Sequence, residues 1–587
     1  MDEQGRRGGS QTYKRILFEE NKQVWRTIYL SLLCVLVGVV AAFGSIGFRF
    51  LIDFFHNLLF SGVLSFKHNP SLSPWGKLVI LVPAVGIALA NFITEKWAPE
   101  AKGHGVPEVM VAVANNGGKI RPVVALVKVF ASALTIGSGG SVGKEGPIVQ
   151  IGSSFGSTLG QIFKLTPRET IILVGAGAAG GISATFNAPI GGVMFALELI
   201  LPEYSIMTIM PLVVSSIVST YISTLILGTH PAFVIPQYMM VSSFELLNYA
   251  LLGLAAGLLS VAFIHLVYFV EDFFKKIKIP SIIKALVGGT LVGCIGLISL
   301  KAFGSYYVYG VGYDFLNGIL ANEMHSLVML LSLIVLKVLA NTLTLGAGGS
   351  GGIFAPSLFL GAALGGSVGI LANMIAPGST GPVAAYAIVG MASVVAGVTG
   401  GVLTSIIMIF EMTRNYQIML PLMLGAVLSH FVAKLLYKET MYTKKLTRRG
   451  INIQFDKRIS TFKMLSVGQI MQKNIVSCSS ETSVKDTIEL MHRHNLGVLP
   501  VIDDKTVLGT ISYKELYNAK PEQGEHIEPL VNKKNITIPS TSDLYDALEV
   551  MQEIQGNILI VLDNEDVVGL VTIKRLLYSS MDKRRNC

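Results

Sequence analysis

The sequence predicts a polytopic α-helical membrane protein made of two repeated halves with discontinuous helices, followed by a cytoplasmic tandem α/β module. Three observations carry this. Half of the 587 residues are hydrophobic (51%) and only 14% are charged, with a mean hydropathy of +0.59, values of a membrane chain. Two glycine-rich breaks, Gly137-Ser138-Gly139-Gly140-Ser141-Val142-Gly143-Lys144-Glu145-Gly146-Pro147 and Gly346-Ala347-Gly348-Gly349-Ser350-Gly351-Gly352-Ile353-Phe354-Ala355-Pro356, interrupt the apolar region. Around them the sequence repeats itself: Pro147 and Pro356 stand 209 positions apart, and Glu198 and Glu411 stand 213 apart. Each repeat holds a break, an apolar helix pair and a terminal glutamate. The two are inverted if each crosses the bilayer an odd number of times.

The elements follow in order. Residues 1–24 are a polar head with Arg6, Arg7, Lys14 and Arg15, and no cleavable signal peptide is expected because the first apolar run starts near Val24. The membrane domain is placed at 25–450. Its apolar stretches near 26–55, 77–97, 122–136, 148–163, 170–185, 188–201, 206–228, 246–271, 284–302, 325–345, 353–374, 383–397, 399–412 and 417–436 read as helices. Several fall short of the roughly 20 residues that span a bilayer, which predicts tilted or half-spanning segments. The last runs into Lys438, Lys444, Lys445, Arg448 and Arg449. Basic residues at both ends put both termini in the cytoplasm of a bacterial-type cell membrane. Topology then accounts for the net charge of +9, and the sequence shows no nucleic-acid motif.

Irregular backbone at membrane depth survives only where protein buries it or a hydrated cavity faces it. Helix N-termini ending there present free N–H groups and a positive dipole end, which is an anion site. The breaks offer glycine, backbone donors and one carboxylate, Glu145, rather than the acidic clusters or aromatic platforms of a cation or sugar carrier. With no Walker loop, metal-ligand cluster or nucleophile–base pair, the sequence predicts no enzyme. Cys34, Cys294, Cys478 and Cys587 lack metal-ligand spacing and are expected as free thiols.

A linker at 451–465 leads to two units, 466–521 and 527–583. Val498–Asp503 with Val507–Ser512 matches Ile558–Asp563 with Val567–Thr572, and Gly509 and Gly569 lie 60 positions apart. Each unit reads as helix, strand, turn, strand, helix, with amphipathic helices over Thr482–His494 and Ser542–Gln555.

At these residues the chain resembles the CLC family of chloride channels and proton-coupled chloride exchangers, with a pair of cystathionine-β-synthase-type (CBS) domains behind it. Gly103-His104-Gly105-Val106-Pro107, Gly143-Lys144-Glu145-Gly146-Pro147, Gly352-Ile353-Phe354-Ala355-Pro356 and Tyr442 carry it, over about 30–450 and 465–580. The resemblance implies a homodimer in the bilayer with one chloride pathway per subunit. It also implies anion binding at His104, Gly105, Ile353, Phe354 and Tyr442, and a gate at Glu145. A carboxylate beside a helix N-terminus takes an anion's place, and protonation removes it.

Two departures bear on mechanism. His104 stands where the family usually has serine; imidazole either donates to the anion or only packs at the inner vestibule. Leu199 stands where many exchangers carry an internal proton-relaying glutamate, with Glu198 one residue earlier. A hydrocarbon relays no proton, so the expectation leans to a voltage- or pH-gated chloride channel, with a chloride/proton antiporter using Glu198 as the alternative. Lys128 is expected either to raise the potential along the anion path or to pair with a buried carboxylate. Lys144 is expected to draw anions to the outer mouth or to form a surface salt bridge, and Glu411 to tie helices together. In CBS pairs a hydroxyl residue and an acidic residue three positions later often hold a ribose. Ser512 with Glu515, and Thr572 with Arg575 in the acidic place, set a regulatory adenine-nucleotide site against a structural, dimerising module; no other cofactor is expected.

Overall fold

In hydrocarbon only an intact helix satisfies its own backbone, so each apolar run becomes a helix as long as its interruptions allow. The computed structural model describes residues 3–66, 73–201, 205–229, 233, 242, 245–451, 465–494, 496–503, 506–519, 525–533, 536–554, 556–563 and 566–582. Cys587 and nearly all of the expected linker lie outside the described residues. The chain divides into two units, Met1–Lys164 with Glu169–Ile453, and Leu165–Arg168 with Gln454–Cys587.

The first half of the membrane unit contains α1 (Glu3–His56), α2 (Leu81–Trp97), α3 (Val106–Asn115), α4 (Val123–Gly137), α5 (Glu145–Ile162), α6 (Pro167–Phe186), α7 (Pro189–Phe195) and α8 (Ile206–Leu227). The second half contains α9 (Glu245–Lys276), α10 (Ser281–Phe303), α11 (Tyr313–Leu320), α12 (Leu327–Gly346), α13 (Phe354–Ile375), α14 (Val383–Thr399), α15 (Val402–Thr413) and α16 (Met419–Leu436), and α17 (Met441–Thr447) closes the unit. Among the described residues nine helical stretches are long and apolar enough to cross a membrane, and five more apolar helices are shorter. Three short helices, α3, α11 and α17, have no counterpart among the predicted segments. Each is at most ten residues long and begins just after a glycine or threonine cap rather than in a long apolar run.

The packing repeats with the sequence. Helix α1 packs on α8 as α9 packs on α16, α2 on α4 as α10 on α12, and α4 on α5 as α12 on α13. At the centre the two breaks pair with each other. Gly143 and Gly352, equivalent by the 209-residue offset, exchange both backbone hydrogen bonds in an antiparallel bridge, at 2.8 and 2.6 Å. The flanking bonds obey the same exchange: Ser141 N–H donates to Thr344 Oγ1 (3.1 Å) and Ser350 N–H to Thr135 Oγ1 (3.2 Å). Amides freed where the helices break are therefore satisfied by the other repeat, which keeps irregular backbone tolerable at this depth.

In the C-terminal unit, β1 (Val498–Asp503) and β2 (Thr506–Ser512) form an antiparallel pair, and β3 (Thr537–Pro539) adds parallel to the antiparallel pair β4 (Ile558–Asp563) and β5 (Asp566–Thr572). Helices α18 (Val467–Ile470), α19 (Val484–His494), α20 (Tyr513–Ala519), α21 (Leu544–Glu553) and α22 (Ile573–Asp582) complete it. The lead-in segments are exchanged between the repeats. Gln472 bridges Leu570 of the second repeat, and Asn532 bridges Thr510 of the first. Val467 and Ile470 accordingly belong to the core of Ile538, Leu544, Leu559 and Val571, while Ile527 and Val531 belong to that of Val484, Leu499 and Ile511. Ile470→Ala should cost about 2–5 kcal/mol as a buried large-to-small change. Because of the exchange, hydrogen exchange should accelerate in β4 and β5 before β1 and β2. The opposite order would break this assignment.

Candidate anion site

Three glycine-bearing segments converge in the membrane unit. Gly103 bridges Ser350 in parallel, with Gly351 N–H donating to Gly103 O at 3.2 Å, alongside the Gly143–Gly352 pair. Gly146 lies so close to the His104 carbonyl that a Cβ on it would stand 2.2 Å from that oxygen. Gly105, at φ +76°, starts α3, where a side chain would meet Gln150 and Gly146. The starts of α3, α5 and α13 are thus gathered by contacts only glycine permits.

Glu145 is buried in the first turn of α5 and looks across to the first turn of α13. Its Oε2 accepts from Ala355 N–H at 3.4 Å, while Oε1 has no hydrogen-bond partner among the described residues. Gly143 leaves room for this pose, since a Cβ there would stand 2.1 Å from Oε2. The first intrahelical donor of α13, Ser357, bonds Ile353 O at 3.0 Å. The Ile353 and Phe354 amides therefore have no acceptor in their own helix, and both residues are buried. A carboxylate sits where helix dipole and amides favour an anion.

Tyr442 comes from α17, whose start is fixed by a capping box between Thr440 and Thr443 and by Tyr268, whose hydroxyl donates to Met441 O. Its ring is buried beside that of His104, centroids 6.0 Å apart, and no described residue bonds its hydroxyl. His104 is only 4% exposed, and its Nδ1 has no partner among the described residues. The structure thus gathers His104, Gly105, Glu145, Ile353, Phe354 and Tyr442 around the junction of three helix starts.

Lys128 is fully buried, yet among the described residues it pairs with no carboxylate: Nζ donates to Ala101 O (2.9 Å) and Gly103 O (2.6 Å), clamping the approach to α3. Sequence reading missed its counterpart. Lys337, 209 positions on and also fully buried, donates to Val308 O and Gly310 O, both at 3.0 Å, before α11. The repeat offset was the signal that could have found it. Lys144 lies with Nζ 5.0 Å from the Tyr313 ring centroid rather than in a surface salt bridge.

Glu198 and Glu411 form a second reciprocal pair. Glu198, in the π-turn Ala196–Ile200, accepts from Leu403 N–H (3.1 Å) and from Thr404 N–H and Oγ1 (both 2.7 Å). Glu411 accepts from Ile190 N–H (3.0 Å) and Gly191 N–H (2.6 Å). Each carboxylate caps the helix start of the other repeat, α15 or α7. Leu199 is buried, against the place where a Cβ of Gly401 would stand.

In the C-terminal unit Ser512 and Glu515 bond each other as a cap: Ser512 N–H donates to Oε2 (2.7 Å) and Glu515 N–H to Ser512 Oγ (3.3 Å), with Asn532 Nδ2 on Oε1 (3.3 Å). Thr572 Oγ1 accepts from Arg575 N–H at 3.3 Å. Burial pushes the Cys478 thiol up to about 11, with Asp503 adding to the shift, so it stays protonated at neutral pH.

A protein-family model described as a voltage gated chloride channel matches residues 85–434, and one described as a CBS domain matches 467–522 and 527–582. An H(+)/Cl(-) exchange transporter ClcA of Vibrio campbellii is 32% identical over 385 residues, covering 64% of this chain and 81% of that protein. Chloride channel protein CLC-f of Arabidopsis thaliana is 28% identical over 585 residues, covering 94% of this chain and 70% of that one. The crystal structure of a slow cyanobacterial Cl-/H+ antiporter shares the fold with a TM-score of 0.63, at 24% identity, over 72% of this chain and 98% of that chain. With its paired breaks and more than half its length matched by one model, the chain belongs to the voltage gated chloride channel (CLC) family and carries two CBS domains behind its membrane unit.

Proposed function

We propose that the protein exchanges chloride for protons across a cell membrane, through a path whose outer gate is the Glu145 carboxylate. The observation that carries the reading is the Oε2 contact with Ala355 N–H: an anionic side chain holds the place that an anion would take at the start of α13. Chloride entering that place displaces the carboxylate, and a proton on the carboxylate releases it, so both ions act on one group. The relative named H(+)/Cl(-) exchange transporter supports antiport over the channel toward which Leu199 leaned. Leu199 still favours a channel as second reading, since the carboxylate one residue before it is already taken up in capping α15. Chloride is bound by the Ile353 and Phe354 amides, the Tyr442 hydroxyl and His104. The protein works as a homodimer with both termini in the cytoplasm. The apolar outer faces of α8 (Ile217, Tyr221, Leu225) and α16 (Val427, Phe431) suit lipid or a second copy.

The deciding experiment is proton movement driven by a chloride gradient in proteoliposomes. Uphill proton transport at a fixed ratio is expected, and purely passive chloride flux would return the reading to a channel.

At saturating chloride, Glu145→Gln should remove the pH dependence of chloride flux and abolish proton coupling, because a neutral amide neither competes with the anion nor titrates. A mutant with the wild-type pH profile would refute the gate. Tyr442→Ala should weaken chloride binding by roughly 1.5–3 kcal/mol, the range for a hydrogen bond to a charged acceptor; calorimetric affinity equal to wild type would rule out direct contact.

The CBS pair holds an adenine nucleotide at Ser512, Glu515 and Thr572 if the Ser512–Glu515 cap opens to the ribose. A hundredfold excess over Kd would then stabilise the protein by about 2.7 kcal/mol. An unchanged Tm with millimolar ATP, ADP or AMP would assign the pair a structural role.

A further inference from the structure

His104 is a buried imidazole whose unpartnered Nδ1 no structural task explains. Its backbone touches the helix that carries the gate: the Gly146 site stands against the His104 carbonyl, and Gly105 against Gly146. Its ring lies beside Tyr442, whose hydroxyl meets no described residue. On the expected inner proton route Leu199 is a hydrocarbon, and Glu198 is engaged by two amides and a hydroxyl. Next to the anion site, His104 therefore supplies what the route lacks: a titratable group within one residue's contact of the gate-bearing turn.

The charges facing it determine how it works. Lys128 from α4, Lys445 from α17 and Arg449 beyond α17 act on the imidazole as like charges once it is protonated. Glu108 of α3 is taken up by Lys445 (3.4 Å) and Arg449 (2.8 Å), so it offers the ring little relief. Tyr442 faces it from α17, and Gln150 of α5 lies against the neighbouring Gly105, both neutral. Burial and these like charges together disfavour the imidazolium, and an anion beside the ring favours it.

We infer that His104 is the internal proton acceptor of the exchange cycle and takes up its proton together with chloride bound between its ring and Tyr442. This rests on the antiport reading above. In the step itself the O–H bond of protonated Glu145 breaks and an N–H bond forms at the imidazole nitrogen that carries no hydrogen. The other N–H donates to chloride, and the proton then leaves to the cytoplasmic side as the anion departs.

Two measurements on the full-length protein test this. In proteoliposomes recording both ions at once, His104→Gln should lower the ratio of protons to chlorides by about tenfold or more, the lower end of what a positioned acid–base group contributes. The ratio is read whatever happens to total chloride flux, and a wild-type ratio would overturn the proposal. The second measurement removes the gate's own titration with Glu145→Gln. Calorimetric chloride affinity in that variant should tighten about fivefold or more as the pH falls from about 8 to about 4.5, a window reaching below the ordinary imidazole range because burial and the neighbouring cations hold this ring below it. The difference should vanish on adding His104→Gln. A pH-independent affinity in Glu145→Gln, or a pH dependence that survives loss of the imidazole, would overturn the assignment. Wild-type protein that moves no protons uphill would sink the antiport reading alone, leaving the calorimetric pair to judge His104.

Discussion

The membrane unit depends on one constraint: backbone amides released where helices break at membrane depth have no water to bond. The two breaks meet this need for each other. Gly143 and Gly352 exchange amide bonds, and Thr135 and Thr344 each accept from the opposite break. The repeats therefore supply part of each other's hydrogen bonding at the breaks. The helix starts they release, α5 and α13, are held facing one place. The candidate anion site is a consequence of this backbone accounting, since the amides left without a helical acceptor lie at that junction.

Charge follows the same symmetry. Lys128 and Lys337 hold the carbonyls that lead into α3 and α11, and Glu198 and Glu411 cap α15 and α7 across the repeat boundary. These four charges, two buried and two half-buried, are each bonded to backbone, which offsets the cost of taking charge out of water. Glu145 differs, with one oxygen weakly bonded at 3.4 Å and the other unpartnered. Among these carboxylates it is the one least held by hydrogen bonds to the described residues, the property the proposed gate needs. His104 and Tyr442 share the trait on the other side of the junction.

The C-terminal unit reaches stability by a related exchange. Each CBS repeat buries the lead-in segment of the other, through Val467 and Ile470 in one core and Ile527 and Val531 in the other. Gly509 and Gly569 stand where those segments pass closest, against Asn532 and Met471. Two small sheets that would be marginal alone become one cooperative pair.

Much of this was legible in the residues themselves. Hydropathy gave the helices, the glycine-rich breaks gave the helix starts, and offsets of 209, 213 and 60 gave both sets of repeats. What local pattern left open was every decision made by a partner distant in sequence. Lys128 was weighed as a field source or half of an ion pair, yet carbonyls 25 and 27 residues away claim it. Glu198 was considered for proton transfer, yet its oxygens meet α15 more than 200 residues on. Helices α3, α11 and α17 were too short to show an apolar run, and only their packing makes them stable. Composition and spacing determine which groups are buried and where helices must break, because those follow from solvation and backbone geometry. Which buried charge is bound and which is free to move is a property of the folded neighbourhood, and only the tertiary structure decides it.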